Sequence, residues 1–278
     1  NRVKMGRYTP GSTFKIVTTI AALRYLPNIT ERVFTCTGQL AFETASGKLV
    51  GDTVKVFDSD GNVRDGYTLL RDFDNEVHGE LTLEEAFAVS CNNVFARIAL
   101  ELGEEKIKRV AEDLGFNGEL IFNELVVYSG TYAQSDTDFE LAWSGVGQHT
   151  DIMTPMHMCL LSSAVANDGI MMKPRLLYGM KSSSGTVLNA LTPEEYKNIL
   201  NGNEAEFLKE CMRLTVSEGT GIKAQIDSYT VCGKTGTAEV SSSADIAPHA
   251  WFTGFIDDEE HPYAICVMIE NGGGGGAV

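Results

Sequence analysis

The sequence predicts an α/β (α+β) fold: an antiparallel sheet flanked by helices, together with a mainly helical lobe. Three observations carry this. Stretches between residues 12 and 217 repeat apolar residues at helical spacing behind recognisable caps. The end of the chain changes to β-branched and aromatic runs separated by turns. There is no internal repeat, and the glycine run near the end is the one low-complexity tract. The 278 residues are therefore read as one unit large enough to bury a sizeable core, with two lobes.

Taken in order, the first helix is expected to start at Ser12 or Thr13, after the turn-forming Pro10-Gly11, and to stop near Pro27. From Glu31 to Glu76, "FTCTGQLAFE", "KLVGDTVKVFDSDG" and "YTLLRDF" read as small strands, turns or ordered loop. Thr82 and Glu85 have capping-box spacing ahead of a helix. Ser90-Cys91-Asn92-Asn93, four poor helix formers, interrupt the pattern before "VFARIALELG" resumes it. Such a junction can point side chains into a cleft. "EEKIKRVAEDLG" is a further amphipathic helix, closed by Gly115. Thr154-Pro155 caps a largely buried helix that Gly169 ends. Thr192-Pro193-Glu194-Glu195 repeats that capping logic, and "AEFLKECMRLTVSEG" reads as another helix. "SYTVCGKTGTAEV", "HAWFTGFIDD" and "PYAICVMIEN" read as three strands, the last two a hairpin through "DDEEH".

Composition narrows the function classes. With 38 acidic and 22 basic residues the formal charge is −16, and no basic stripe is visible, which argues against nucleic acid as a partner. No run of 18 apolar residues is present and no signal peptide opens the chain. The six cysteines lie far apart with no C-x-x-C pair, and are read mostly as reduced, buried small hydrophobes. The five histidines show no ligand spacing, so neither a metal site nor a cofactor is expected.

Chemistry is suggested first by Ser12 and Lys15. Residues three apart share a helix face. A helix start carries partial positive charge, which disfavours a protonated Lys15 and favours its neutral amine. A neutral amine beside a hydroxyl can accept its proton, and the Ser12 backbone N–H lies where it can meet a developing oxyanion. Ser90 and Asn92 offer a hydroxyl and an amide across the helix junction. Lys234-Thr235-Gly236 lies inside an expected strand, where Gly236 permits another backbone to approach closely and a ligand peptide to pair as an added strand.

Together, Ser12-Thr13-Phe14-Lys15, Ser90-Cys91-Asn92 and Lys234-Thr235-Gly236 match, in order, the S-x-x-K, S-x-N and K-T-G signature of the serine penicillin-binding proteins and serine β-lactamases. The flanks "NRVKMGRYTPGSTFKIVT", "SCNNVFARIA", "EGTG" and "GKTGTAE" extend the resemblance over nearly the whole chain. It is closest to the transpeptidase domains of monofunctional class B enzymes, with a "VMIENGGGGG" ending that resembles the penicillin-binding protein A type.

The resemblance implies a D,D-transpeptidase. Ser12 would be the nucleophile and Lys15 its general base. Ser90 would relay a proton to the leaving amine, Asn92 would hold the substrate amide and Lys15, and Lys234 would keep the field positive. Thr235 and Thr237 would bind the donor's terminal carboxylate, with Gly236 in the strand that lines the donor. The N–H groups of Ser12 and Thr237 would form the oxyanion hole. Implied partners are peptidoglycan stem peptides ending in D-Ala-D-Ala, β-lactams that mimic them, and cell-wall synthesis proteins. The implied location is the extracytoplasmic face of a bacterial membrane, with an anchor outside this chain.

The lobes are expected at about 28–170 (helical) and at 1–27 with 171–278 (sheet). Compared with the family pattern, the transpeptidase domain is expected to lack elements at both ends, leaving a sheet edge unpaired. Glu239, after the K-T-G-T-A run, is given no catalytic role. Trp143 and Tyr132 are read as either cleft or core. A class A β-lactamase would need a glutamate in an E-x-x-L-N stretch, and "NELVV" offers Glu124 without the rest of that pattern. A D,D-carboxypeptidase, and a β-lactam sensor that acylates without turnover, would carry the same three motifs.

Overall fold

Residues 1–51, 56–122, 125–149, 151–240 and 246–277 are described by the structure, a computed structural model. Glu124 and part of "KLVGDTVKVFDSDG" lie outside the described residues. A short helix α1 (Arg2–Met5) precedes a 3₁₀ turn (Gly11–Phe14), which leads directly into α2 (Lys15–Tyr25). The expected first helix is thus split, with Ser12 on the tighter turn and Lys15 as the first α-helical residue. Leu26 is extended, as a residue before proline prefers, and stops α2.

Among the described residues, five short strands follow. "FTCTGQLAFE" forms β1 (Phe34–Cys36) and β2 (Gln39–Glu43), separated at Gly38. β3 (Leu49–Gly51) and β4 (Tyr67–Arg71) flank β2, while β5 (Gly79–Leu81) pairs antiparallel with β1. Next come α3 (Leu83–Ala88), α4 (Asn92–Leu102) and α5 (Glu104–Asp113). Thr82 and Glu85 form the expected capping box. The pair β6 (Leu120–Ile121) and β7 (Val126–Val127) leads to α6 (Asp138–Gly145) and α7 (Pro155–Ala166). α6 is an unanticipated helix, although Thr137 and Glu140 give it a full capping box.

The structure corrects the reading of Thr192-Pro193-Glu194-Glu195. After β8 (Ile170–Met172), β9 (Gly179–Lys181) and β10 (Val187–Ala190), these residues lead into a strand, β11 (Glu195–Asn198), antiparallel to β8. Backbone pairing with β8 overrides the local cap signal. α8 (Gly202–Ser217) starts instead behind Asn201, whose side chain accepts from Glu204 N at 3.0 Å while Glu204 accepts from Asn201 N at 3.0 Å.

The late sheet has the order β12 (Val231–Ala238), β13 (His249–Ile256), β14 (Ala264–Ile269), all antiparallel. Among the described residues, β14 pairs only with β13. α7 packs on β13 and β14, α8 on β12 and α3, and α2 on α4 and α5. One core runs through these contacts, with Phe14, Ile16, Ile20, Phe87, Phe95, Trp251 and Phe255 buried. Side chains of this size each contribute about 1.5–3 kcal/mol when fully buried. His157 belongs to this core. Its Nδ1 accepts from Gly130 N (2.8 Å), its Nε2–H donates to Leu114 O (2.9 Å), and burial lowers its pKa to about 4, so it stays neutral.

Candidate active site

Three chain segments meet where α2, the α3–α4 junction and β12 converge. The Ser12 turn reaches β12 because glycines remove obstacles. Gly11 has φ +55°, and a Cβ there would lie 2.5 Å from Thr237 O. At Gly236 a Cβ would lie 2.9 Å from Thr13 Cγ2 and 3.1 Å from Pro10 O. The backbone that Gly236 admits on this side is therefore the chain's own Ser12 turn.

Lys15 is fully buried, and its Nζ lies 3.1 Å from Ser12 Oγ, 2.5 Å from Ser90 O, 3.2 Å from Ser90 Oγ and 2.8 Å from Asn92 Oδ1. The Ser90 carbonyl and Asn92 Oδ1 can only accept, so they take two N–H groups. A neutral amine then keeps its lone pair for the hydroxyl side. Burial pulls the Lys15 pKa from 10.5 to about 8, against the opposing attraction of Asp72. Desolvation, rather than the helix terminus invoked from sequence, is thus the main reason this lysine gives up its proton easily.

The Ser90 turn is built for display. Ser90 has φ +60°, a left-handed conformation costly for a non-glycine residue. Its N–H donates to Phe87 O at 3.1 Å, and Cys91 N donates to Ala86 O at 2.9 Å. Asn92 is fixed at three points: its N–H donates to Asp72 Oδ1, its Nδ2 donates to Arg71 O at 3.0 Å, and its Oδ1 faces Lys15. The Asn93 N–H shares Asp72 Oδ1 at 3.2 Å. A carboxylate at the start of α4 is favoured by the helix dipole. Asp72 is an organising residue that sequence reasoning missed. Its one signal was an acid ending "YTLLRD", and the link to Asn92 is purely tertiary.

Lys234 completes the centre. It is fully buried, with Nζ 2.9 Å from Ser90 Oγ and donating to Thr235 O at 3.1 Å. Burial, and then the charge of Lys15, hold its pKa well below the ordinary lysine value. Ser90 Oγ therefore bridges two amines, and a chain of contacts runs Ser12–Lys15–Ser90–Lys234.

The edge of β12 that faces away from β13 borders the cleft. Thr235 O accepts from Lys234, and Thr237 O accepts from Gln148 Nε2 at 3.1 Å. In an antiparallel strand a residue's N–H and C=O point to the same edge, so the N–H groups of Thr235 and Thr237 face this side as well. Thr235 Oγ1 is 2.6 Å from Thr220 Oγ1, and Thr237 Oγ1 accepts from Gly275 N at 3.2 Å. The cleft, of about 770 Å³, is lined by Ser12, Ser90, Asn92, Trp143, Gln148 and Thr237 among others. Glu239 also lines it. Trp143 thus borders the cleft, whereas Tyr132 is core, stacked on Phe14. Gln148 was not singled out from sequence, and Thr220 appeared only within "EGTG".

All eight residues picked from sequence therefore lie at one place. Residues 41–278 match the family model described as the penicillin binding protein transpeptidase domain. The chain belongs to this transpeptidase family. It is 28% identical over 274 residues to the peptidoglycan D,D-transpeptidase PbpA of Mycolicibacterium smegmatis, covering 98% of this chain and 52% of that protein. It is 27% identical over 303 residues to the peptidoglycan D,D-transpeptidase MrdA of Haemophilus influenzae, covering 99% of this chain and 43% of that protein. The chain spans about half the length of the curated relatives it matches. Among solved structures, it resembles an imipenem acyl-enzyme complex of penicillin-binding protein A from Mycobacterium tuberculosis, with TM-score 0.79, 25% identity and coverage of 99% and 59% of the two chains. It also resembles the D,D-transpeptidase domain of a peptidoglycan glycosyltransferase from Eggerthella lenta, with TM-score 0.79, 26% identity and coverage of 98% and 62%. The mixed helix and antiparallel sheet architecture is that of these relatives. Among the described residues no helix is long and apolar enough to cross a membrane.

Proposed function

We propose that this chain is the acyl-transfer domain of a peptidoglycan D,D-transpeptidase. The observation that carries the reading is a Ser12 hydroxyl 3.1 Å from a buried lysine amine whose pKa is about 8. The names of the relatives and the acyl-enzyme complex of a similar protein support it.

Ser12 Oγ attacks the carbonyl of the penultimate D-Ala in a stem peptide, and neutral Lys15 takes its proton. The N–H groups of Ser12 and Thr237 receive the oxyanion. Asn92 holds Lys15 and the substrate amide. Ser90, between the two lysines, passes a proton to the departing D-Ala amine, and Lys234 sustains the positive field. Thr235 and Thr237 hold the terminal carboxylate while the donor lies along β12 next to Gly236. An amine from a second stem peptide then takes the acyl group from Ser12. A β-lactam occupies the donor position and leaves Ser12 acylated. In this reading a helical lobe and a sheet lobe meet at the cleft, and the domain works at the extracytoplasmic face of the membrane with other cell-wall synthesis proteins.

Intact-protein mass spectrometry after incubation with benzylpenicillin, followed by peptide mapping, tests the nucleophile. A long-lived adduct on Ser12 is expected, and an adduct elsewhere, or none on folded protein, would overturn the assignment. A donor peptide supplied with and without an amine acceptor separates cross-linking from hydrolysis. Release of free acid alone would make the protein a carboxypeptidase.

A further inference from the structure

The two N–H groups assigned to the oxyanion come from separate parts of the fold. Ser12 lies on the 3₁₀ turn ahead of α2, and Thr237 lies near the end of β12. An oxyanion hole works only when both donors sit about 2.7–3.1 Å from one point, so the turn and the strand must keep a fixed spacing. Gly11 and Gly236 let the two backbones pack in contact. Among the described residues, however, no hydrogen bond runs directly between Gly11–Phe14 and β12. Trp251 Nε1 donates to Thr9 O at 3.0 Å, but Trp251 belongs to the neighbouring strand, β13.

A third segment makes the connection. Behind α6 the chain turns tightly, with Gly147 N donating to Ser144 O at 2.8 Å and Gln148 N to Trp143 O at 3.0 Å. Gly147 O accepts from Gly11 N at 2.8 Å. The side chain of the next residue, through Gln148 Nε2, donates to Thr237 O at 3.1 Å. Two consecutive residues thus grip both halves of the hole: one holds the residue before Ser12, the other holds Thr237 itself. Position 147 requires glycine, because φ is +85° and a Cβ there would lie 2.0 Å from Gly11 O. A carbonyl can only accept, so Gln148 presents its NH₂ group to Thr237.

The turn is braced from behind. Ser144 and Asp151 are fully buried, and Ser144 Oγ donates to Asp151 Oδ2 at 2.7 Å. Ala133 N reaches Asp151 Oδ1 at 3.4 Å. Thr18, on α2 three residues after Lys15, donates through Oγ1 to Gly145 O at 2.7 Å. The gripping residues are therefore mounted on the packed core that also carries Ser12 and Lys15.

We propose that Gln148 is a positioning residue for acyl transfer: acting on Thr237 O, and jointly with the Gly147 carbonyl on Gly11, it fixes the spacing between the Ser12 and Thr237 N–H groups. The inference rests on the transpeptidase reading, since only that reading makes these two groups an oxyanion hole. Thr237 N–H and C=O point to the same edge of β12, so a hold on the oxygen also sets where the N–H points. The carbonyl has two lone pairs, so a donor peptide can share Thr237 O with Gln148 without displacing it. The contribution falls on rate rather than on affinity, because the oxyanion exists in the transition state and not in the bound donor.

The test is Gln148→Met, which keeps the length of the side chain and removes its N–H groups. Stopped-flow acylation by benzylpenicillin separates the dissociation constant of the first complex from the acylation rate constant. The rate constant should fall about 10–10²-fold, with the dissociation constant within about twofold of wild type. Infrared difference spectra of the acyl-enzyme, made with penicillin isotope-labelled at the lactam carbonyl, give a second readout. A well-aligned hole polarises the acyl carbonyl and lowers its frequency, so the band should move to higher frequency in the variant. Gln148→Asn keeps an amide that is one methylene short and should show the same two changes, which keeps the test readable if the first variant folds poorly. A folded Gln148→Met protein with the wild-type rate constant and an unmoved band would overturn the proposal. So would faster acylation or tighter first binding, which would make Gln148 a latch that the donor displaces. Wild-type protein without a Ser12 adduct would overturn the transpeptidase reading and this role with it, whereas equal acylation of wild type and variant would overturn this role alone.

Discussion

α2 and α8 begin in opposite ways. α8 starts behind Asn201 with a complete capping box, and its Glu204 also takes the guanidinium of Arg24, with Nε at 2.9 Å and Nη2 at 3.1 Å. α2 starts behind a 3₁₀ turn, with no side-chain cap, no acid in its first turn and a buried lysine as its first residue. The α8 start follows helix electrostatics, whereas the α2 start violates them. Yet the two are joined, because Arg24, in the last turn of α2, is held by the first turn of α8. The far end of α2 is anchored by an ion pair, and its near end carries Ser12 and Lys15. A helix start that breaks the local rules while its surroundings obey them is where function is expected.

If that contrast is right, substitutions at the two starts should damage different properties. The largest effect is expected from Ser12→Ala, which should abolish the penicillin adduct by mass spectrometry while leaving the melting temperature nearly unchanged. Lys15→Met should come next, slowing acylation about 10²–10⁴-fold by removing the base, as read by stopped-flow or gel labelling with a fluorescent penicillin. This variant also sharpens the electrostatic argument. Lys15 binds its proton less tightly folded (about 8) than free (10.5), so its contribution makes stability rise with pH between those values. Below about 8 both states are protonated and the cost of the buried cation is constant. Lys15→Met should remove that part of the slope in denaturant titrations at several pH values.

At the other start the damage should fall on stability. Arg24→Met leaves Glu204, 9% exposed in its side chain, without its bidentate partner. A loss on the order of 2 kcal/mol is expected in urea unfolding, with the acylation rate of the remaining folded protein unchanged. Asn201→Ala should show the smallest effect, about 1 kcal/mol, lowering the melting temperature by roughly 2–4 °C. Loss of acylation in Asn201→Ala at full stability would break the comparison.

The same contrast explains what the sequence disclosed. Caps are local, so Thr82–Glu85 and Thr154-Pro155 were legible as helix starts, and the alternating strands of the late sheet were legible from period and turns. Ser12, Lys15, Ser90, Asn92 and Lys234 were legible because each motif is short and their order resembles a family. Local rules failed where partners are distant. Thr192-Pro193 promised a helix, but residues 195–198 were claimed by β8. The desolvation that sets the Lys15 pKa, the hold of Asp72 on Asn92 and the grip of Gln148 on Thr237 all join residues far apart in the chain. The contacts of Asp72 with the Cys36 and Cys91 thiols and with His78 are a stronger case, since these residues come from separate strands, loops and a helix cap.

The central claim is that Lys15 is a buried amine able to be neutral near physiological pH and to take the Ser12 proton. The most direct measurement is the second-order rate constant for benzylpenicillin acylation of Ser12 across a range of pH. The rate should climb about tenfold per pH unit at low pH and level off above about 8, where Lys15 has lost its proton. A rate independent of pH through that range, or the same rise persisting in Lys15→Met, would contradict it.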